Sequence, residues 1–223
     1  MGKKKPAGAL RLAIGDVHGR DFWKSYIDEP FTEFYFTGDY FDSFDLPFSK
    51  QYINFTEICK AARADSRIKL CLGNHDYHYL RGVLNQYYSG FQDRYCHKIG
   101  DVLEENIDLM RVVYITEDNF IISHAGVTSW FYKSIAAKNP TDINSAFDRD
   151  RNVLLFNGYN NYGDDITQSP IWVRPRSLIK DALPVYSQIV GHTPVKEITE
   201  TQLSGENKLV LIDTHDTRSI YRF

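Results

Sequence analysis

Short runs of β-branched, aromatic and aliphatic residues alternate along the chain with stretches whose apolar positions recur every three or four residues. The first kind reads as strands over Ala9–Ile14, Glu33–Thr37, Ile68–Leu72, Arg111–Ile115, Asn119–Ser123, Tyr186–Val190 and Lys208–Ile212, since such side chains pack well on a pleated surface. The second kind predicts helices over Ser49–Ala64, Tyr77–Tyr88, Val127–Lys138 and Thr141–Phe156. In the first of these Tyr52, Phe55, Cys59 and Ala62 form one apolar stripe, which makes Cys59 a small buried hydrophobe. Asp118-Asn119 reads as a hairpin tip. Strands alternating with helices predict a layered α/β domain. No repeat or Pro/Gly/Ser-rich linker divides it, so a single domain is expected over 9–223 behind a flexible basic segment, 1–8. Asn157–Ser169 is the longest stretch without periodicity, a length typical of lids and binding loops.

The polar residues fall where these strands end. Ile14 runs into Gly-Asp-Val-His-Gly (15–19), Thr37 into Gly-Asp-Tyr-Phe-Asp (38–42), and Leu72 into Gly-Asn-His-Asp (73–76). Ser123 runs into His124-Ala-Gly, and Val190 into Gly191-His192-Thr193-Pro194. A lone Gly-Asp after a strand is ordinarily a turn. Delivered to one edge of a layered α/β fold, five such turns bring Asp16, His18, Asp39, Asn74, His75, His124 and His192 together. Partly desolvated carboxylates and imidazoles so close cost on the order of several kcal/mol per ion unless a cation compensates them. A divalent metal does so, and carboxylate, imidazole and amide oxygen suit Mn²⁺, Fe, Zn²⁺, Ni²⁺ or Co²⁺. Without thiolates a cysteine-rich structural zinc site is disfavoured.

Composition narrows the class. A hydrophobic fraction of 43% and a charged fraction of 25% are those of a globular protein, and no apolar run reaches membrane-spanning length. The net charge of −3 supplies no general phosphate-tracking field, so nucleic acid is not the expected partner. Three cysteines (Cys59, Cys71, Cys96) without ligand spacing suit a reducing cytoplasm, and the lysines at 3–5 precede too short an apolar stretch for a secretory signal.

The ordered set GDVHG, GDYFD, GNHD, SHAG and GHTP resembles the calcineurin-like metallophosphoesterases, and within them the phosphoprotein phosphatase branch with its small bacterial and phage enzymes. Leu211-Ile212-Asp213-Thr214 is similar to the strand that follows the last motif, so the resemblance spans nearly the whole chain. It implies a four-layer αββα sandwich of two mixed sheets flanked by helices. It also implies two divalent metals, manganese first among them: Asp16 and His18 on one, Asp39 bridging, and Asn74, His124 and His192 on the other. Two cations about 3.5–4 Å apart clamp a phosphoryl group, and a bridging hydroxide available near pH ~7 attacks in line. By the same resemblance His75 protonates the leaving alkoxide and Asp42 holds its ring.

The sequence departs from that branch at Ser43-Phe44, where Arg-Gly is usual, so one phosphate-gripping guanidinium is missing. Arg174, in Ile171-Trp172-Val173-Arg174, is similar to the branch's second arginine and is assigned to the phosphate; Arg81 is a weaker substitute for the first. Asp76 replaces a usual Glu, and His215 a usual Gly; His215 is read as a surface residue, and His78 and His97 as solvated or structural. Tyr40, Phe44, Tyr159 and Tyr162 are candidate exposed platforms for a base, whereas Phe34 and Phe36 belong to the core. The function expected is hydrolysis of phosphomonoesters, phosphorylated protein side chains included. A nucleotide or diadenosine polyphosphate hydrolase is the alternative and an inactive binding scaffold the third reading. A phosphorylated protein, small molecule or nucleotide is the expected partner; oligomeric state is left open.

Overall fold

The computed structural model describes residues 10–84, 87–157, 163–215 and 219–223; the basic N-terminal segment and the loop tyrosines Tyr159 and Tyr162 lie outside the described residues. Among the described residues ten strands form two five-stranded sheets. In the first, β1 (Arg11–Ile14), β2 (Glu33–Phe36), β3 (Ile68–Cys71) and β4 (Met110–Arg111) run parallel, and β10 (Ile220–Arg222) closes the edge antiparallel to β1. In the second, β6 (Phe120–Ser123), β7 (Ser187–Val190) and β9 (Lys208–Leu211) are parallel, flanked by antiparallel β5 (Val113–Ile115) and β8 (Thr199–Gln202).

The two-residue period of the strands sorts their side chains between layers. Ala13, Tyr35 and Cys71 of the first sheet meet Ile122, Ile189 and Val210 of the second in one buried cluster. Leu12, Ile14, Phe34, Phe36 and Leu70 point the other way and share a cluster with Phe55, Ile58 and Cys59 of α1 (Phe48–Ala64). On the far face Val190, Leu209 and Leu211 pack with Leu178 of α6 (Pro175–Asp181). The result is the expected sandwich of two mixed sheets between helices, with Phe34 and Phe36 in its core.

Several elements differ from the sequence pattern, each for a local reason. Arg111–Ile115 is not one strand: the chain changes sheets at Val112, and Asn144 in α5 (Asp142–Arg149) accepts the N–H groups of both Val112 and Val113 at 2.9 and 3.0 Å. Tyr77–Tyr88 is not a helix. α2 is the single turn Asn74–Tyr77, and beyond it the consecutive side chains of His78 and Tyr79 both reach Asp42, while Gly82 takes a left-handed φ of 78°. A continuing helix would aim consecutive side chains about 100° apart. Val127–Lys138 contracts to α4 (Ser129–Ser134), capped by Thr128, and Thr141–Phe156 to α5 followed by a 3-10 turn at Arg151–Leu154. α3 (Cys96–Glu105) buries Ile99, Val102 and Leu103 on one face; β8 is polar and largely exposed, which left no apolar alternation to read. No helix among the described residues is long and apolar enough to cross a membrane.

Candidate metal centre

Every parallel strand of the core except β4 ends at one place. β1 delivers Asp16 and His18, β2 Asp39 and Asp42, and β3 Asn74 and His75; from the opposite sheet β6 delivers His124, β7 His192 and β9 Asp213. Convergence from two sheets demands close backbone approach, which explains the glycines. A Cβ on Gly73 would stand 2.1 Å from Asp39 Oδ1, and one on Gly191 1.9 Å from Asp16 Oδ1. The turns are strained as well as tight: His18, Asp39, Asp42 and His192 hold left-handed backbone at φ of 43, 55, 63 and 61°. Each such residue costs about 1–2 kcal/mol, a cost met by the surrounding hydrogen bonds. Asp76 supplies several of these bonds, accepting the N–H groups of Asp39 and Gly73 on Oδ2 and of Tyr40 on Oδ1.

Backbone carbonyls set the imidazole tautomers. His124 Nδ1 lies 3.0 Å from Thr37 O, His192 Nε2 3.2 Å from Trp172 O, and His18 Nδ1 2.5 Å from Phe41 O. A carbonyl only accepts, so those nitrogens bear the protons and His124 Nε2, His192 Nδ1 and His18 Nε2 carry lone pairs. Around His124 Nε2 stand Asn74 Oδ1 at 2.8 Å, His192 Nδ1 at 3.1 Å and Asp39 Oδ2 at 3.3 Å, with Asn74 Oδ1 2.9 Å from His192 Nδ1. With these rings neutral, four acceptor atoms face one another, an arrangement that is repulsive unless a positive charge, a metal ion or a second proton on His124, sits among them. Two imidazoles, an amide oxygen and a carboxylate fit a first-row divalent ion.

The other half of the site is acidic. Asp16 accepts from Thr37 Oγ1 at 3.2 Å and from the His192 N–H at 2.9 Å, and Asp39 Oδ2 lies 3.9 Å from His18 Nε2. Asp16, Asp39 and His124 bring ligand atoms within one ion's reach. Burial, then the Asp213 and Asp39 carboxylates, push the Asp16 carboxyl well above its usual range. Burial also raises Asp39, but His124, His75 and His18 outweigh it and hold its carboxyl well below. Burial, opposed by Asp39, lowers His18; burial with His124 and Arg174 lowers His192, keeping both rings in the neutral state that ligates. His75 differs: burial pulls its pKa down, yet Asp39 and Asp42 raise it to about 9. Its Nδ1 is 3.0 Å from Asp42 Oδ2.

Other expected positions resolve as follows. The Arg174 guanidinium stands at the rim, with Nη1 donating to His192 O and Thr193 Oγ1, both at 3.2 Å. Ser43, where an arginine was missed, donates its hydroxyl to Asp45 Oδ1, which also accepts from Arg20 Nη2 at 2.8 Å. Arg81 is exposed and paired with Asp101. Tyr40 is no platform: its ring is buried and its hydroxyl donates to Cys71 O at 3.0 Å, because Phe36 and Phe55 pack around it. Phe44 is 78% exposed. Asp164 accepts from Ser177 at the start of α6 and Asp165 from Thr167, so both acids are engaged locally. Gln168 exchanges hydrogen bonds with the Asn157 backbone and ties the base of the long loop. Sequence reasoning did not foresee His78, Tyr79 and Gln92 around Asp42, nor the orienting carbonyls of Thr37, Phe41 and Trp172; backbone groups leave no residue signature.

The chain is similar to the cold-active protein-tyrosine phosphatase of a psychrophile, Shewanella sp., with 17% identity and a TM-score of 0.59, over 92% of this chain and 71% of that one. It is also similar to a protein serine/threonine phosphatase from Saccharomyces cerevisiae, described as having similarity to human phosphatase PP5, with 11% identity and a TM-score of 0.50, over 94% and 69% of the two chains. At these identities the likeness is one of fold. No curated protein matches the chain. The profile of the calcineurin-like phosphoesterases matches residues 11–203, which contain the five strand-end turns and the candidate ligand residues on them, and the chain belongs to that family.

Proposed function

We propose that the protein hydrolyses phosphomonoesters with two divalent metal ions, manganese first among the candidates. The observation that carries this reading is the set of four facing acceptors formed by His124 Nε2, Asn74 Oδ1, His192 Nδ1 and Asp39 Oδ2, beside the Asp16 carboxylate. Asp16 and His18 would hold one ion and Asn74, His124 and His192 the other, with Asp39 placed between the two groups. Two such ions, when bound, clamp the phosphoryl oxygens and provide a hydrolytic nucleophile at neutral pH. Arg174, anchored at the rim on His192 O and Thr193, grips phosphate oxygens with its planar fork. His75, whose Nδ1 is held by Asp42, would give the leaving oxygen its proton from Nε2. No side chain needs to form a covalent intermediate. The buried and half-buried thiols suit a reducing compartment such as the cytoplasm.

The test is hydrolysis by chelator-stripped protein with and without Mn²⁺, over p-nitrophenyl phosphate, a phosphopeptide, diadenosine tetraphosphate and a phosphodiester. Mn²⁺-restored turnover of the two monoesters is the expected result. Preference for diadenosine tetraphosphate would move the substrate to nucleotides, and absence of turnover with two ions bound would overturn the reading in favour of a binding scaffold.

A further inference from the structure

Asp42 has more partners than an orienting carboxylate needs. Its side chain has no exposed surface. Oδ2 receives His75 Nδ1 at 3.0 Å and His78 Nε2 at 2.7 Å; Oδ1 receives the Tyr79 hydroxyl at 2.5 Å and Gln92 Nε2 at 3.2 Å. A carboxylate offers about four lone-pair sites, so this one is saturated. The cage is braced from behind. Gln92 donates its backbone N–H to Tyr79 Oη at 2.7 Å, and its side chain also reaches Gln51 of α1 at 3.0 Å. Gln51 in turn accepts the Ser43 N–H at 3.2 Å, next in the chain to Asp42 itself.

His78 is the unusual member. Its Nε2 meets a carboxylate and therefore carries the proton, while its Nδ1 has no hydrogen-bond partner among the described residues and is buried. The ring stacks on Tyr88 at 5.3 Å and meets Tyr79 and Phe91 edge-on at 4.4 and 5.0 Å, a wall with nothing to offer that lone pair. Burying an unpaired nitrogen costs about 1–3 kcal/mol, and an apolar side chain would fill the same space without that cost. What an apolar side chain lacks is the Nε2–H donor.

We propose that His78, with Tyr79 and Gln92, is a positioning residue for proton delivery: by saturating Asp42 it fixes the carboxylate so that the His75 ring has one orientation, with Nε2 aimed into the metal pocket. This rests on the assignment of His75 as acid above. In the step itself a P–O bond forms from the attacking hydroxide as the P–O bond to the ester oxygen breaks, the His75 Nε2–H bond breaks as an O–H bond forms on that departing oxygen, and the imidazole is left neutral. Asp42 keeps its negative charge throughout, since its lone pairs are occupied by four donors. Without His78, Oδ2 is free to turn and the His75 ring loses its single seat.

The experiment compares His78→Leu, which fills the space without a donor, with His78→Gln, which restores an N–H, both loaded with Mn²⁺. The substrates are phenyl phosphate, whose leaving group needs a proton, and p-nitrophenyl phosphate, whose leaving group does not. The leucine variant is expected to lose roughly 10–100-fold in kcat on phenyl phosphate, part of the roughly 100- to 10,000-fold that a general acid contributes, and only about 2-fold on p-nitrophenyl phosphate. Its KM and metal content should stay unchanged, and the glutamine variant should recover most of the loss. Tyr79→Phe, which removes one hydroxyl and little packing, should show the same selectivity on a smaller scale. Equal losses on both esters, or a glutamine variant no better than leucine, would overturn the proposal. Long-range ¹H–¹⁵N spectra of the metal-free protein give a readout independent of turnover: the hydrogen-bonded Nδ1 proton of His75 should be sharp in wild type and in the glutamine variant and broadened in the leucine variant. An unchanged signal in all three would also overturn it. If wild type cleaves neither ester with metal bound, the proposed function fails, and the spectra still decide whether His78 orients the ring.

Discussion

Gly73→Ala tests the geometry of the centre without touching a ligand. Gly73 has φ −97° and ψ 170°, ordinary extended backbone, so alanine meets no conformational penalty there. The whole effect comes from space. The new Cβ would lie 2.1 Å from Asp39 Oδ1 and 2.3 Å from Asp39 N, where real contacts essentially never fall below 3.0 Å. Asp39 must retreat by roughly 1 Å, and a displacement of that size in a positioned group costs on the order of 100-fold in rate. Retreat also loosens the Asp39 N–H bond to Asp76 and the His75 N–H bond to Asp39 Oδ1, both at 2.9 Å. Overpacking of a filled site adds a stability loss of about 1–3 kcal/mol. The assays are metal stoichiometry by elemental analysis, the urea midpoint, and Mn²⁺-dependent hydrolysis of p-nitrophenyl phosphate. Gly205→Ala is the control: it has a left-handed φ of 64° and nothing within 4 Å of the added Cβ. It should lose about 1–2 kcal/mol and retain full turnover. A Gly73→Ala protein with two bound ions and wild-type kcat would refute the reasoning, because Asp39 would then tolerate a shift that the proposed bridging role forbids.

Removal of metal by a chelator should lower the melting temperature, and restoring Mn²⁺ at about 100 times its dissociation constant should return about 2.7 kcal/mol; in Asp39→Ala that response should vanish together with turnover, as scanning fluorimetry would reveal. His75→Ala should reduce kcat on the order of 100-fold or more while bound metal, measured by elemental analysis, stays at the wild-type level. Asn144→Leu leaves the N–H groups of Val112 and Val113 without their acceptor at the crossing between sheets, and the urea midpoint should fall by the equivalent of about 2–4 kcal/mol. Burial raises the Glu104 carboxyl, but the Arg151 guanidinium and the Arg81 N–H outweigh it and hold the pKa below its usual range. That pair therefore stabilises the fold above the ordinary glutamate range, and the stabilisation is lost as the pH falls through the lower folded-state value; Arg151→Met should flatten the acid limb of a stability–pH curve below about pH 5.

The sequence by itself determined the layers and the cast of the site. Period-two strands such as Glu33–Phe36 and the three-four stripe of α1 specify faces locally, and Gly-Asp, Gly-Asn and Gly-His after a strand mark where backbone must pass close to a polar group. What only the tertiary structure decided depends on groups that have no side-chain identity or that lie far apart in the chain. The tautomers of His18, His124 and His192 are set by carbonyls of Phe41, Thr37 and Trp172, residues chosen by position and not by type. Tyr40 reads in the sequence as an exposed platform, yet packing by Phe36 and Phe55 took it inside. The break at Val112 is invisible in an unbroken apolar run, since it depends on Asn144 arriving from α5 to take both N–H groups. His78 and Tyr79 likewise fell in an apparent helix; the buried charge of Asp42, 36 and 37 positions earlier, outbid the helical preference of that segment.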